Sequence, residues 1–366
     1  MINISLCKNI PKNSKKLFGG SNTVIVITPD KKVYKYFMVL SHKDSDDKRI
    51  KEKLNCFRRE INIQEILTKN IVNKNLSPHI AILDASLFCK SSPHFLFNKC
   101  PSFKKLLKTP KEKMKLPQEC LYLIQGYPVK IEKGFIIANI EYCPLTLGEV
   151  ILKLMRKSNK TLENNLNRLL FQLIYTLAII EKKYPYFVHH DLFIRNILAT
   201  ENKGGKNDYF RYHFGKYVFD VPAYGYITKI TDFGETNLDK KNQETPKLVK
   251  SPYEDVFNII YDIYNGGNLG AESCISIARK RKNEKKEKFL HKYFSKFINT
   301  KLFQEIEKNK QKKHINWNWR ILYDPEMSKL FKVKLPKEYL KQFVRIYPKN
   351  DNHNIVEEFG KFFNKK

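Results

Sequence analysis

The order of apolar patterns along this 366-residue chain predicts an α+β protein in two parts. A small antiparallel β part with one helix is expected over residues 1–139, and a larger, mainly helical part over 140–366. Two observations carry this. Before Pro144 the apolar runs are short, β-branched and partly alternating, as strands require. After Pro144 apolar residues recur at three- and four-residue spacing, as helices require. A third, the 42% hydrophobic and 13% aromatic content, supplies a sizeable core and excludes a disordered or collagen-like chain.

The elements follow in order. TVIVI at 23–27, a turn at Pro29-Asp30 and KVYKYFMVL at 32–40 read as a hairpin-like pair of strands. Phe57, Ile61, Ile66 and Leu67, with Glu60 and Glu65 between them, suit an amphipathic helix. HIAILDASLF at 79–88 reads as a strand, the Pro- and Lys-rich segment around 90–134 as an insertion, and FIIANIEYC at 135–143 as a nearly continuous apolar strand. Beyond Pro144, residues 145–156 and 161–183 have helical spacing. The second run carries Leu166, Leu169, Leu170, Leu173, Ile174, Leu177 and Ile180 on one broad face, the pattern of a buried helix. The short apolar runs at 188–198 and 224–234, broken by polar residues, are expected to be strand-flanked loops that carry function, with a further strand, KYVFDVP, between them. From 253 to 264, and through a basic tail over 279–366, the pattern is helical.

The formal net charge of +31 favours polyanionic partners, whether nucleic acid, acidic protein or an anionic surface. Heavy use of Lys, Asn and Ile points to an AT-rich genome, so part of this charge is compositional. Residues 279–313 hold 14 Lys and Arg against 4 Asp and Glu, a solvated helical face or a docking surface for polyanions. Nucleic-acid binding rests on charge alone. Trp317 and Trp319 are expected to pack the last helices. Seven scattered cysteines, odd in number and without CxxC spacing, fit a reduced, cytoplasmic setting and show no zinc site. The N-terminus lacks an apolar leader, and the longest apolar run, 169–180, is too short to span a bilayer, so no membrane insertion is expected.

The most specific signal is His189-His190-Asp191-Leu192, with Asn196 five positions after the aspartate, and Asp232-Phe233-Gly234 further on. Phosphoryl transfer needs a carboxylate to orient an attacking hydroxyl and take its proton, and oxygen ligands for Mg²⁺; Asp191, Asn196 and Asp232 supply those groups. This constellation resembles the protein-kinase superfamily, whose catalytic loop reads HRDxxxxN and whose metal-binding turn is DFG. The resemblance covers roughly 17–265 in the family's order. It implies a two-lobed kinase fold, with ATP and Mg²⁺ as cofactors and protein as substrate. Lys35 stands where a lysine meets the phosphates, Glu60 (with Glu65 as rival) where its ion-pair partner lies, and Gly19 and Gly20 in the phosphate loop. Glu141 to Cys143 form the hinge, with Ile140 as gatekeeper, and Asp255 corresponds to a buried anchor of the catalytic loop. Asp191 is then the base, and Asn196 with Asp232 hold the metal. VPAYGYITKITDFGE narrows the resemblance to divergent serine/threonine kinases of large DNA viruses.

Some positions depart from the family pattern. Thr23 stands near the third glycine, His190 replaces an arginine, Phe193 occupies a common lysine position with Arg195 two places on, and no APE motif follows. These departures keep an alternative open, a catalytically weak pseudokinase acting as a scaffold. A small-molecule phosphotransferase is less well matched, because Gly234 belongs to the protein-kinase pattern.

Overall fold

The computed structural model describes residues 4–18, 23–42, 47–91, 96, 129–238, 253–265, 273–301 and 334–361. The chain divides into two units, Met1–Ile66 with Ile82–Tyr142, and Leu67–Ala81 with Cys143–Lys366. Residues 67–81, expected with the first part, group with the second because their backbone joins it: Ala81 N–H donates to Ile230 O and Ile230 N–H to His79 O, both at 2.9 Å. Trp317 and Trp319, part of the basic stretch and most of the insertion lie outside the described residues.

The first unit is a five-stranded antiparallel sheet with one helix. Strands β1 (Lys15–Phe18), β2 (Thr23–Ile27), β3 (Val33–His42), β4 (Leu83–Cys89) and β5 (Val129–Ile140) pair in the order β1-β2-β3-β5-β4, and α1 spans Asp47–Leu67. Alternation along β3 sorts its side chains between two cores. Tyr36 and Met38 pack with Val24, Val26, Phe135 and Ile137 on one face; Val33 and Phe37 pack with Ile136, Ala138 and Ile61 of α1 on the other. Lys35 has the parity of Val33 and Phe37, so it belongs to the face that α1 covers. Phe37 meets Phe57 of α1 at 5.4 Å between ring centroids.

Cys7 and Cys89 form a disulfide between the N-terminal 3₁₀ turn (Ile4–Cys7) and the end of β4, which corrects the expectation of fully reduced cysteines. No spacing rule could signal it. The partners are 82 positions apart in sequence and meet only when the sheet brings β4 beside the N-terminal turn.

The second unit is built around a helix. After β6 (Leu145–Thr146), α2 (Leu147–Leu154) begins with a capping box in which Thr146 and Glu149 each satisfy the other's backbone N–H. Helix α3 (Asn159–Lys183) is buried at every position from Leu166 to Ile180. The amide at the middle of that run, Gln172, is satisfied. Gln172 Nε2 donates to Tyr226 O at 3.0 Å, and its Oε1 accepts from the Thr228 N–H and hydroxyl, both at 2.9 Å. Strands β7 (Ile197–Asn202), β8 (Asp208–Phe214), β9 (Tyr217–Pro222) and β10 (Gly225–Ile230) follow. They are succeeded by α4 (Tyr253–Asn265), α5 (Cys274–Lys280), α6 (Glu284–Phe294), α7 (Pro336–Phe343) and β11 (Asn354–Phe359). One sheet runs β10-β7-β6 and another β11-β8-β9.

The basic tail is therefore not helical to its end. Residues 354–359 form β11, parallel to β8. Ile355 and Val356 are β-branched, and Phe359 closes the strand against Phe210 and Tyr212 at 5.8 and 5.0 Å, a non-local gain that helical periodicity cannot reveal. No helix among the described residues is long and apolar enough to cross a membrane.

His79 is fully buried, its Nδ1–H donating to Thr228 O at 3.0 Å and its Nε2 accepting from the Tyr212 hydroxyl at 2.9 Å. Burial, with nearby Lys229, pushes its pKa from 6.5 down to about 3. The unfolded chain takes this proton below about pH 6.5 and the folded chain only near 3, so stability falls as pH drops through that window. The expected loss is about 2 kcal/mol between pH 6.5 and 5. Urea unfolding of the wild type and His79→Leu over that range checks it: the stability difference between them should shift by that amount against the wild type as pH falls.

Candidate active site

In the first unit, the parity of β3 and the register of α1 bring two expected residues together. Lys35 Nζ donates to Glu60 Oε1 at 2.8 Å, with both side chains largely buried at 12% and 7% exposure. The ammonium also lies 4.8 Å from the Phe37 ring centroid, a low-dielectric setting in which a misplaced charge is costly. Glu65 is exposed, so the rivalry between the two glutamates falls to Glu60. Ile140 is buried in the α1-side core. Glu141 folds back on its own unit, with its N–H donating to Ile82 O at 2.9 Å and its Oε2 accepting from Ile82 N–H at 3.1 Å. The chain passes from the first unit to the second between Tyr142 and Cys143, and Cys143 is half-buried. Gly19 and Gly20 lie outside the described residues.

In the second unit, a strand pairing organises the catalytic-loop candidates. β7 and β10 pair antiparallel with Ile197 opposite Ile230. That register continues one step further, where Thr231 N–H donates to Asn196 O at 3.0 Å, and so sets Asn196 beside the residue that precedes Asp232. Asn196 Nδ2 donates to both the Asp191 carbonyl and Asp191 Oδ2, each at 2.7 Å. The other carboxylate oxygen, Oδ1, is ion-paired with Arg195, whose guanidinium also lies 4.8 Å from the Phe193 ring centroid. With Nδ2 committed to Asp191, Asn196 Oδ1 has no donor among the described residues. An amide oxygen and the Asp232 carboxylate suit Mg²⁺, which takes few protein oxygens and completes its shell with water and phosphate. The donor set fits that ion.

Buried groups hold this loop from below. Asp255 and Asp262, seven positions apart and so on one face of α4, both accept backbone N–H bonds from it. Asp255 Oδ2 takes His189 N–H at 2.7 Å and Oδ1 takes His190 N–H at 3.1 Å; Asp262 Oδ2 takes Ile194 N–H at 2.7 Å. His189 is buried against Phe233, its Nε2–H donating to Thr231 O at 3.1 Å and its Nδ1 facing Asp191 N–H at 3.4 Å, so both ring nitrogens are used structurally. His190 is a bridge. Its Nδ1 meets Glu254 Oε2 at 3.2 Å and its Nε2 accepts from Asn237 Nδ2 at 3.2 Å. His190 and Asp232 both have left-handed backbones, φ 65° and 67°, an arrangement costing about 1–3 kcal/mol each that persists where surrounding contacts enforce it.

Sequence reasoning did not anticipate Asp262, Glu254 or the Arg195–Asp191 pair. The signal for Asp262 was present as a second acidic residue one heptad after Asp255 on an apolar helix. Asp191 and Arg195 stand four positions apart, a spacing that could have marked their pair; nothing local marked Glu254.

An antiparallel five-stranded sheet carrying a buried Lys–Glu pair, a mainly helical second unit and a carboxylate–amide loop beside a DFG turn define a protein-kinase-like fold. No protein-family model matches the chain. Curated relatives do. The chain is 31% identical over 293 residues, 70% of its length and 72% of the relative's, to an Acanthamoeba polyphaga mimivirus protein provisionally named a serine/threonine-protein kinase. A second mimivirus protein with the same provisional name is 30% identical over 216 residues, 43% of its length. A Dictyostelium discoideum protein named a probable serine/threonine-protein kinase is 29% identical over 142 residues, 11% of its length. The chain belongs to the serine/threonine-protein kinase family, as a divergent member resembling those of large DNA viruses.

Proposed function

We propose that the chain transfers the γ-phosphate of ATP to serine and threonine hydroxyls of protein substrates. The observation that supports this best is the group formed by Asp191, Asn196 and the adjoining Asp232. A carboxylate oriented by an amide, with a second carboxylate one strand away, suits hydroxyl activation beside a metal. Asp191 orients the substrate hydroxyl and takes its proton as the oxygen attacks phosphorus. Lys35, held by Glu60, takes the α- and β-phosphates, Gly19 and Gly20 contribute backbone N–H groups, and the main chain of Glu141 and Cys143 receives the adenine. Asn196 and Asp232 would hold Mg²⁺, which when bound neutralises phosphate charge. The net charge of +31 favours acidic protein substrates.

The Arg195–Asp191 ion pair favours a second reading, a scaffold that binds nucleotide without transfer, because it occupies an oxygen the base needs. Two measurements separate the readings. Mg·ATP at a hundredfold its Kd should add about 2.7 kcal/mol of stability in a thermal-shift assay. γ-Labelled ATP should then pass phosphate to lysate proteins, with phosphoserine and phosphothreonine recovered on hydrolysis. A shift without transfer identifies the scaffold, and neither effect overturns both readings.

A further inference from the structure

On the second unit, α3, β8, β9, the Tyr224-Gly225 turn and the segment after α7 line a partly open cavity of about 260 Å³. None of the catalytic-loop or metal-ligand candidates lines it. Arg168 of α3 is 5% exposed there. Its guanidinium donates to Tyr224 O and, at 2.8 Å, to Asn165 Oδ1, and stacks 4.6 Å from the Tyr224 ring centroid. Neutral oxygens and a ring are all it has: no carboxylate lies within ion-pair distance among the described residues. Guanidinium groups stay charged, and a buried one without a counter-ion is unusual. Burial pushes the Arg168 pKa down, as expected of a cation without its anion.

The other charges in the cavity wall cancel. Asp220 is fully buried, but Arg211 meets it with Nε at 2.8 Å and Nη2 at 2.9 Å, Asn350 N–H donates to it at 2.7 Å, and His353 Nδ1 lies at 3.2 Å. Arg168 is thus the wall's uncompensated charge. A second donor stands with it. Tyr347, 7% exposed, lines the same cavity, and its hydroxyl makes no hydrogen bond to any described residue. Tyr209, stacked on His353 at 3.7 Å, adds a flat aromatic wall.

The geometry also accounts for the Tyr224-Gly225-Tyr226 run. Gly225 has φ +101°, and a Cβ there would come within 3.1 Å of Arg168 Nη1. The glycine is the space in which the guanidinium lies.

We infer that this cavity binds a small organic oxyanion, a carboxylate or phosphate monoester on a single ring, with the anionic group on Arg168 and Tyr347 and the ring against Tyr209. A forked guanidinium matches either anion, and the volume, just under the roughly 300 Å³ at which pockets for drug-sized ligands begin, limits the occupant to fragment size. The test uses the full chain with saturating Mg·ATP and three probes, inorganic phosphate, phenyl phosphate and benzoate, followed by calorimetry and ligand-observed NMR. Phenol serves as the neutral control. Phenyl phosphate and benzoate should bind saturably, phenol at least about 10-fold more weakly, and Arg168→Gln should weaken both anions by about 10-fold or more. Asn164→Trp, at an exposed α3 position lining the cavity, should block binding without touching the arginine, and it alone decides if Arg168→Gln does not fold. Equal binding of phenol, no saturation by about 10 mM, or binding unchanged in the variants would each overturn the site. Neither probe nor readout involves phosphoryl transfer, so failure here leaves the kinase reading standing.

Discussion

Asp191→Asn is expected to lower phosphoryl transfer about 10²- to 10⁴-fold while leaving the unfolding midpoint nearly unchanged. The two effects separate because of where the side chain sits. Its ion pair with Arg195 is partly exposed, 27% and 42%, and such pairs contribute at most about 1 kcal/mol. Its hydrogen bond from Asn196 Nδ2 survives, since the new side chain keeps a carbonyl oxygen at the same place. What disappears is a basic oxygen. An amide cannot take the hydroxyl proton, so the loss falls on the chemical step and appears in kcat. Initial rates with γ-labelled ATP, measured beside a thermal melt, decide the matter. Undiminished transfer removes Asp191 from the base role, and a collapsed melt means that it holds the loop together instead.

Local pattern and long-range partnership explain what could be read from the chain beforehand. Partial period-2 alternation marked β3, short β-branched and nearly continuous apolar runs marked β2 and the core of β5, and three-four spacing marked α1 and α3, because in each case the burial that stabilises the element is written within ten or so neighbouring residues. The meeting of Lys35 with Glu60 was legible only through the family resemblance, which left Glu65 as a rival; the structure supplies the physical reason, since strand parity and helix register put Lys35 and Glu60 on the shared face. The Cys7–Cys89 bond and the parallel pairing of β11 with β8 were not legible, since each joins segments more than eighty positions apart whose own sequences say nothing of the other. His190 illustrates the middle case. Its departure from the family's arginine was visible, but its burial between Glu254 and Asn237 depends on α4 and on the turn after Phe233 arriving together. The Tyr224-Gly225-Tyr226 run was legible as a signature and not as a cause. Only the structure shows that it forms the bed of a buried guanidinium.

Asp255→Asn is expected to cost about 2–6 kcal/mol and to depress transfer with it. The carboxylate spends one oxygen on each of two consecutive backbone N–H groups, and an amide can serve only one. The variant leaves a buried N–H facing an NH₂ group, two unsatisfied donors at roughly 1–3 kcal/mol each. Because one of those N–H groups belongs to His190, held at φ 65°, releasing it also loosens the residue that precedes Asp191. The pH dependence adds an independent check. Burial pushes the Asp255 pKa from 3.8 up to about 6, against the opposing pull of His189, His190 and the backbone bond from His189. The folded state therefore holds this proton more tightly than the unfolded chain. The stability it contributes is fully present below about pH 4 and is lost as pH rises through about 6, a change of about 3 kcal/mol. His79 acts in the opposite sense over an overlapping range, so the wild-type curve alone mixes the two. The difference between wild type and Asp255→Asn isolates the carboxylate, since His79 is common to both. Urea unfolding at about pH 4.5 and pH 7 should show the gap between them narrowing as pH rises. A gap that widens instead would mean that the two N–H bonds outweigh burial and that Asp255 is held as a carboxylate throughout.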